Sequence, residues 1–410
     1  MATLKYWLWL TSLRNLSPSS AFCLLEHFGT PEGAYFADPA EYALVEGLSA
    51  AAQNALRDKS LDRAEAVLGE CDRLGVHILT LQDARYPDRL RQLPDPPAIL
   101  YVKGRLLSFD EEAAVAVVGA RAATPYGLKI AGRLGLDLAR QGGLVVSGIA
   151  RGVDTAALRG ALRGGGSVVS VLGNGVDVFY PAENRELYQD VAAVGALISE
   201  YPPGTEANRR NFPVRNRIIS GLSLGVVVVE GTQTSGSLIT ARLALDQNRD
   251  VFAVPGNVDA PMSRGPNQLI RRGEAKLIHC GWDVLEEYAA RYPHKIRRAS
   301  PLQGGEEEQR LCGALNGAGN HPDDNGEKVV DKEAGKTYID LKDCGPEFTD
   351  DERDVLHTLA ERALGADDII EETQIPARRV LSALTMLQVR GLVEEGPGKQ
   401  FRALAILRAE

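Results

Sequence analysis

Four arginines and one phenylalanine fall within the nine residues between Arg209 and Arg217. Guanidinium groups form paired hydrogen bonds with phosphate oxygens, and an aromatic ring offers a face on which a nucleobase stacks. No acidic residue interrupts this run. These residue types favour a site for an anion that carries bases. A solvated basic loop, with Phe212 as a core anchor, is the open alternative.

Three other segments combine an apolar run with glycine, serine or threonine. They start at Gly119, Ser147 and Gly231, and the first includes Arg121. Backbone N–H groups in such turns, and at the start of a helix, bind anions. All four segments therefore point to phosphate binding. A purely structural turn is the alternative for the segment that starts at Ser147.

Motifs for catalysis, metals and dinucleotides are missing from the sequence. The six histidines are scattered without HExxH spacing, no GxSxG is present, and the five cysteines form no CxxC pair. Gly173-Asn174-Gly175 begins a dinucleotide fingerprint, but Val178 stands where its third glycine is required. The sequence therefore predicts a protein that holds anions without a catalytic residue, a metal or a cofactor.

The central segment has the pattern of a parallel sheet. Short apolar runs alternate with helical patterns; they are Val115–Val118, Leu144–Val146, Ser167–Leu172, Val226–Val229 and Val251–Val254. Continuous apolar strands of this kind are covered by helices on both faces. We predict an α/β fold, a doubly wound Rossmann-like domain over residues 113–297. Ligands of such sheets bind beyond the carboxyl ends of the strands, where the four segments fall.

The flanking segments differ in composition. Residues 1–75 read as short helices around glycines, similar to helix–hairpin–helix or sterile-alpha-motif modules, and their acidity favours a structural or interaction role. Residues 76–112 are rich in proline and predict an extended connector that includes a strand-like run at Ala98–Val102. Residues 298–348 are rich in Gly, Asp and Glu and predict a flexible acidic linker.

Residues 349–410 predict a winged-helix domain with three helices and a β-wing. The third helix would direct four polar side chains outward: Arg378, Arg379, Ser382 and Thr385. The segment is acidic, which is unfavourable for duplex DNA. Docking to a protein is therefore at least as well supported.

Composition and charge place the chain among soluble globular proteins, with 44% apolar and 25% charged residues and a net charge of −9. A positive balance occurs only centrally, where residues 113–290 carry 18 basic and 16 acidic side chains. No apolar run approaches the ~20 residues of a membrane span. The dispersed cysteines indicate a reducing cytoplasm. We expect no association with a membrane.

Residues 113–280 closely resemble the DNA-processing protein A family, also called DprA or Smf. The matching stretches, in chain order, are VAVVGAR, VVSGIARGVD, SVLGNGVDVFYPAEN, LISEYPPG, NFPVRNRIISGLS, VVVVEGTQTSGSLITARLAL and VFAVPGN. The resemblance implies a cytoplasmic protein that binds and protects single-stranded DNA in natural transformation. It also implies a homodimer, partnership with RecA and with single-stranded-DNA-binding protein, and no catalytic step.

The resemblance also implies a set of DNA-binding residues. They are Gly119, Arg121, Ser147, Gly148, Arg209, Phe212, Arg215, Asn216, Arg217, Ser235, Gly236 and Ser237. The chain departs from the family pattern twice, with Ala120 in place of the usual serine and Leu158 in place of the usual histidine. Backbone amides and arginines supply most phosphate contacts, so these departures leave the binding expectation intact.

Two enzyme classes share this type of sheet and are the competing hypotheses. The first is a nucleotide phosphoribohydrolase of the lysine-decarboxylase-like type. Its PGGxGTxxE motif carries a catalytic glutamate, and the stretch VEGTQTSGS retains only the GT fragment. The second is an NAD oxidoreductase, which the missing third glycine disfavours.

Overall fold

The computed structural model describes residues 3–298, 337–340 and 349–408, with gaps at 360, 361, 363, 390, 391, 397–399 and 404. Two compact units comprise Met1–Asn320 and His321–Glu410. The predicted linker 298–348 lies outside the described residues except for residue 298 and residues 337–340. None of the helices that the structure describes is long and apolar enough to cross a bilayer.

Short helices form the amino-terminal part of the first unit. They are α1 (Leu4–Ser12), α2 (Pro18–Phe28), α3 (Pro31–Phe36), α4 (Ala50–Ala55) and α5 (Asp62–Leu74), with a 3₁₀ turn at Glu41–Leu44. The hydroxyls of Ser17, Thr30 and Ser49 each accept a hydrogen bond from the backbone N–H three residues on. Such N-caps fix where α2, α3 and α4 begin. Buried Trp9 and Tyr42 fill the space between these helices.

The proline-rich segment that follows contributes to the sheet. It contains β1 (His77–Thr80), α6 (Asp88–Arg91) and β2 (Ile99–Gly104). Strand β2 pairs antiparallel with β1 on one side and with residues 196–199 on the other. The strand-like run predicted at Ala98–Val102 thus falls on β2, and this pairing buries the apolar residues Ile99–Val102.

The remaining elements of the first unit alternate between strand and helix. They are β3 (Ala113–Val118), α7 (Pro125–Arg140), β4 (Gly143–Ser147), α8 (Val153–Arg163), β5 (Val168–Leu172), α9 (Arg185–Val194), β6 (Ala196–Ser199), α10 (Asn211–Leu222), β7 (Gly225–Val228), α11 (Gly236–Asp246), β8 (Asp250–Ala253), α12 (Arg264–Arg271), β9 (Lys276–Leu277) and α13 (Trp282–Leu285). Within the described residues these strands form one sheet in the order β1-β2-β6-β5-β4-β3-β7-β8-β9. Strands β3 to β9 are parallel, which confirms the doubly wound, Rossmann-like prediction.

The sheet separates two apolar cores. Successive side chains of a strand point to opposite faces, so Val115 and Val117 enter the core shared with α7, α8 and the amino-terminal helices. Ala114 and Ala116 enter the core beneath α10 and α11. The alternating chain thus gives a three-layer unit in which the carboxyl ends of the parallel strands β3 to β9 lie at one edge.

The second unit has the predicted winged-helix pattern. It contains β10 (Thr337–Asp340), α14 (Asp350–Thr358), β11 (Leu364–Gly365), α15 (Ala366–Thr373), α16 (Ala377–Val389), β12 (Val393–Gly396), β13 (Gln400–Ala403) and β14 (Ala405–Arg408). Strand β13 pairs antiparallel with β11 and β12 to form the wing. A capping box between Thr349 and Glu352 starts α14.

The third helix of this unit, α16, is partly apolar on its exposed face. Leu381 and Met386 are exposed beside Ser382 and Thr385. Arg379 forms an ion pair with Asp351 at 2.6 Å, so its charge is already partnered. The side chain of Arg378, predicted to point outward, lies outside the described residues. The described face therefore offers little free positive charge for a duplex.

Candidate nucleic-acid interface

The candidate site lies where two neighbouring strands send the chain in opposite directions. Strands β3 and β7 are adjacent, but the chain continues from β3 toward β4 and from β7 toward β8, on the other side. Such a switch point opens a crevice that is the usual ligand site of doubly wound sheets. A cavity of about 660 Å³ opens there, hereafter the switch-point pocket. The predicted residues that line it are Gly119, Arg121, Arg209, Phe212, Arg215, Asn216, Ser235, Gly236 and Ser237.

Two stacked aromatic rings form one wall of the pocket. Phe212, in the first turn of α10, stacks on Tyr180 with ring centroids 5.4 Å apart and planes 24° apart. The guanidinium carbons of Arg121 and Arg215 lie 5.2 Å and 5.9 Å from the Phe212 centroid. Cations at these distances from a ring are attracted by its quadrupole. The wall therefore combines stacking surface with positive charge.

Sequence reasoning missed Tyr180. It lies 43% exposed, far from the arginine run in the chain, within the family-like stretch SVLGNGVDVFYPAEN. That stretch was the only available signal, because no periodicity or spacing relates Tyr180 to Phe212. Tertiary folding alone brings the two rings together.

Arg215 and Arg121 both carry a positive charge but differ in their exposure and hydrogen bonding. Arg121 is exposed, whereas Arg215 is only 4% exposed. One terminal nitrogen of Arg215 donates to the Gly148 carbonyl at 3.0 Å and to the carbonyl of Val171. Burial lowers the pKa of Arg215, an effect that nearby Asp154 opposes. Arg215 thus connects two backbone segments through its hydrogen bonds and also supplies a positive charge.

The loop after β4 is strained and is fastened by Asp154. Ile149 has φ of 55°, which is an outlier for a β-branched residue. On either side of it, the N–H groups of Gly148 and Ala150 donate to one carboxylate oxygen of Asp154, at 3.1 Å and 3.3 Å. Asn184 donates to the Ile149 carbonyl at 2.9 Å. Strain of this kind concentrates at functional sites.

Two of the predicted DNA-binding residues have donors that are already engaged. The Ser147 hydroxyl is buried and donates to the Val117 carbonyl at 2.7 Å. The Gly148 N–H donates to Asp154. Neither residue lines the switch-point pocket, although Gly148 lines a smaller cavity beside it with Arg121, Phe212 and Arg215. Their contact with DNA stays a prediction.

Arg217, which was also predicted to bind DNA, does not line the switch-point pocket. It stands two residues after Arg215 on α10, so it projects from a different face of the helix. Its guanidinium is 3.0 Å from an Asp95 carboxylate oxygen and 2.8 Å from one of Glu200. These two ion pairs neutralise a positive charge. The basic run in the sequence had predicted that this charge is available to an anion.

The start of α11 forms the opposite side of the pocket. Ser235 precedes the helix, and its hydroxyl accepts a hydrogen bond from the Thr232 N–H at 2.8 Å. Gly236 is exposed at the first helical position. The Ser237 hydroxyl is buried and has no hydrogen-bond partner among the described residues. Helix amides and an unpartnered hydroxyl together suit an anion.

A carboxylate already occupies the start of α7. The side chain of Glu230 accepts hydrogen bonds from the N–H and hydroxyl of Thr124, at 2.8 Å and 2.6 Å. A Cβ at Gly127 would lie 2.1 Å from a Glu230 oxygen. This helix start is where a Rossmann dinucleotide site binds pyrophosphate. Its occupation by Glu230 disfavours the NAD hypothesis.

Neither of the two departures from the family pattern replaces a residue of the predicted DNA-binding set. Leu158 is fully buried in the core shared by α7 and α8. Ala120 borders the pocket, and its N–H and carbonyl bond with Glu230 and Val153. Gly119 beside it is confined, because a Cβ there would lie 2.5 Å from a Val153 methyl. Backbone packing therefore shapes this turn.

The described residues contain no group of three or more His, Cys, Asp or Glu side chains that could hold a metal. The pocket instead presents guanidiniums, amides, hydroxyls and two rings. A Rossmann-like unit with such a pocket, followed by a winged helix, defines a class of DNA-binding proteins. The model of the family described as DNA recombination-mediator protein A matches residues 77–289, and the DprA winged helix domain matches residues 344–399. The chain belongs to this family.

Comparisons with individual relatives agree with this family assignment. Protein Smf of Synechocystis is 31% identical over 97% of this chain and 98% of its own length. DNA processing protein DprA of Bacillus subtilis is 40% identical over 53% of this chain and 73% of its own length. The X-ray structure of DprA from Streptococcus pneumoniae superposes with a TM-score of 0.62 at 34% identity, covering 69% of this chain and 97% of that one.

Proposed function

We propose that the chain binds single-stranded DNA in the switch-point pocket. The observation that carries the proposal is the position of Arg121 and Arg215 against the ring of Phe212, which itself stacks on Tyr180. Guanidiniums contact phosphates irrespective of sequence, and rings stack on any base that is unpaired. A duplex hides its base faces, so the ring wall favours a single strand.

The cellular role follows from the family. We infer that the chain is a recombination mediator that protects incoming strands and loads RecA onto them during natural transformation. The inferred setting is the cytoplasm, with the chain acting as a homodimer on strands coated by single-stranded-DNA-binding protein. The family description, DNA recombination-mediator protein A, supports this role.

We also propose that binding involves no catalytic step. In the phosphoribohydrolase motif a glutamate stands three residues after the threonine of the GT pair. Here that position is Ser235, whose hydroxyl accepts a hydrogen bond from the Thr232 N–H. The carboxylate nearest in sequence, Glu230, is held by Thr124. Release of adenine from AMP by the purified chain would contradict this proposal.

Binding is tested by fluorescence anisotropy with labelled oligothymidine at several salt concentrations. Arg121 is the informative position because it is exposed, so Arg121→Ala leaves the core intact. Loss of one phosphate contact reduces the slope of log K against log[salt] by about 0.7. Arg105→Ala is the matched control, because Arg105 is exposed beside Gly195 at the opposite edge of the sheet. Wild-type binding and slope in Arg121→Ala would reject this site.

A further inference from the structure

A second cavity adjoins the switch-point pocket. It has a volume of about 460 Å³ and lies between α11 and α12, hereafter the second cleft. Its lining residues that matter here are Thr234, Ser235, Ile239, Arg242, Gln268 and Arg272. Ser235 and Ile239 line both cavities. The two cavities are therefore neighbours across one ridge.

The ridge between the cavities is apolar and exposed. Ile239 is 45% exposed in the first turn of α11. An isolated exposed isoleucine needs no explanation, but this one stands between a phosphate-type pocket and a cleft lined by arginine. A chain passing from one cavity to the other would cross Ile239 and could lay sugar or base against it.

The second cleft contains available positive charge. Arg242 lies one turn beyond Ile239 and is exposed, and no carboxylate of the described residues lies within 4.0 Å of its guanidinium. Arg272 has an exposed partner, Glu274, at 3.7 Å. Exposed pairs contribute about 0–1 kcal/mol, so a phosphate competes readily for Arg272. Amide and hydroxyl groups of Gln268 and Thr234 add donors.

The spacing suits a ligand longer than one nucleotide. Arg242 lies six residues after Gly236 on α11, and a helix rises 1.5 Å per residue, so their backbones lie about 9 Å apart along its axis. A strand with several phosphates can place one phosphate at the start of α11 and another at Arg242.

We propose that the second cleft is a subsite for the sugar-phosphate backbone of a single strand leaving the switch-point pocket, with Arg242 as its principal cation. This inference rests on the proposed function and extends it, because it predicts affinity that depends on strand length. A short oligonucleotide fills the switch-point pocket alone. A longer one crosses Ile239 and reaches Arg242.

The test compares a labelled thymidine dinucleotide, too short to extend from the switch-point pocket to Arg242, with an oligothymidine of about 16 nucleotides, a site size found in single-strand-binding folds. With the full chain, Arg242→Ala weakens binding of the longer strand by about two- to fivefold, as expected for an exposed charge contact. It also lowers the salt slope by about 0.7. Arg242→Glu weakens it further, Arg242→Lys restores it, and the shorter strand binds all variants alike. Arg105→Ala is the control.

Two results would overturn the inference. In one, Arg242→Ala and Arg242→Glu bind the longer strand like wild type while Arg121→Ala weakens both lengths; the pocket then stands without the subsite. In the other, Arg242→Ala weakens both lengths equally, so Arg242 acts on the pocket itself. If Arg121→Ala changes neither length, the proposed function fails, and the inference fails with it. Unchanged thermal midpoints establish that the variants are folded.

Discussion

The surroundings of Phe212 make its ring suitable for stacking on a base. Its ring is partly exposed, stacked on Tyr180 and approached by the guanidiniums of Arg121 and Arg215. The cations fix the orientation of the ring wall, and the wall in turn holds the cations near one another. A base can add to this stack without displacing a core side chain.

Phe212→Ala is expected to weaken binding of oligothymidine by about 1–3 kcal/mol, the contribution of one base–aromatic stack. The salt slope should stay unchanged, because no phosphate contact is removed. Anisotropy titrations at several salt concentrations measure both quantities. Phe212→Tyr, which keeps the ring, is the control. Equal affinity of the alanine variant and wild type would show that this ring does not stack on DNA.

Asp154 links pH to stability. Burial raises its pKa to about 6 from an ordinary 3.8, against the opposing charge of Arg215. Between these values the folded chain binds a proton that the unfolded chain does not, so this group's contribution to stability increases as pH falls from about 6 to about 4. The full effect is about 3 kcal/mol. Above about pH 6 the contribution is constant.

We therefore expect wild type to gain stability relative to Asp154→Asn when the pH is lowered from 7.5 to about 4.5. Urea unfolding of both proteins at the two pH values measures how the difference between their free energies of unfolding changes with pH. Other titrating groups are common to the two proteins and cancel. Parallel pH profiles would mean that Asp154 titrates alike in the folded and unfolded chains.

The two faces of helix α10 have different surroundings. Phe212, Arg215 and Asn216 face the switch-point pocket, whereas Arg217 is buried against Asp95 and Glu200. The first face lines the pocket, and the second is held by ion pairs to the segments that carry Asp95 and Glu200. Substitutions on the two faces should accordingly have separable effects.

Arg217→Ala is expected to lower the free energy of unfolding by about 1–3 kcal/mol, because it leaves the partly buried Glu200 carboxylate without its partner. Where the variant is folded, its salt slope for oligothymidine should equal that of wild type. Urea unfolding and anisotropy provide the two measurements. A reduced salt slope with unchanged stability would return Arg217 to the DNA-binding set.

At the start of α11, Ser237→Ala should weaken DNA binding without lowering stability. This is the opposite of the pattern expected for Arg217→Ala. The Ser237 hydroxyl has no partner among the described residues, so its loss should leave stability unchanged or slightly higher. If the hydroxyl donates to a phosphate, binding weakens by about 1.5 kcal/mol. Arg121→Ala serves as the positive control for weakened binding. Destabilisation without any loss of affinity would assign Ser237 to the core instead.

At the scale of the whole molecule, the pocket belongs to one compact unit. All of its lining residues lie between Val118 and Met262, whereas the winged helix forms in the second unit. On the exposed face of α16, Leu381 and Met386 suit contact with a protein better than with phosphates. The two units therefore offer different kinds of surface.

A chain ending at residue 298 should bind oligothymidine with the affinity and salt slope of the full chain, because it retains the pocket and both apolar cores of the first unit. The comparison is made by anisotropy under identical salt conditions. Circular dichroism and thermal unfolding verify that the shortened chain is folded. A loss of affinity much above tenfold would assign DNA contacts to residues beyond 298.

The individual pocket residues were predicted from the family resemblance. The sequence by itself determined the alternation of strand and helix, the parallel sheet and the winged helix. These follow from local patterns, because apolar periodicity and glycine turns are properties of neighbouring residues. Strands β1, β6 and β9 were not predicted, and β9 has only two residues.

Only the tertiary structure decided which charges are free. Arg215 and Arg217 are alike in the sequence, yet one faces the pocket and the other meets Asp95 and Glu200. Tyr180 joins Phe212 because the loop after β5 packs against α10. Charge pairing and ring stacking depend on residues distant in the chain, and local patterns carry no information about such distances.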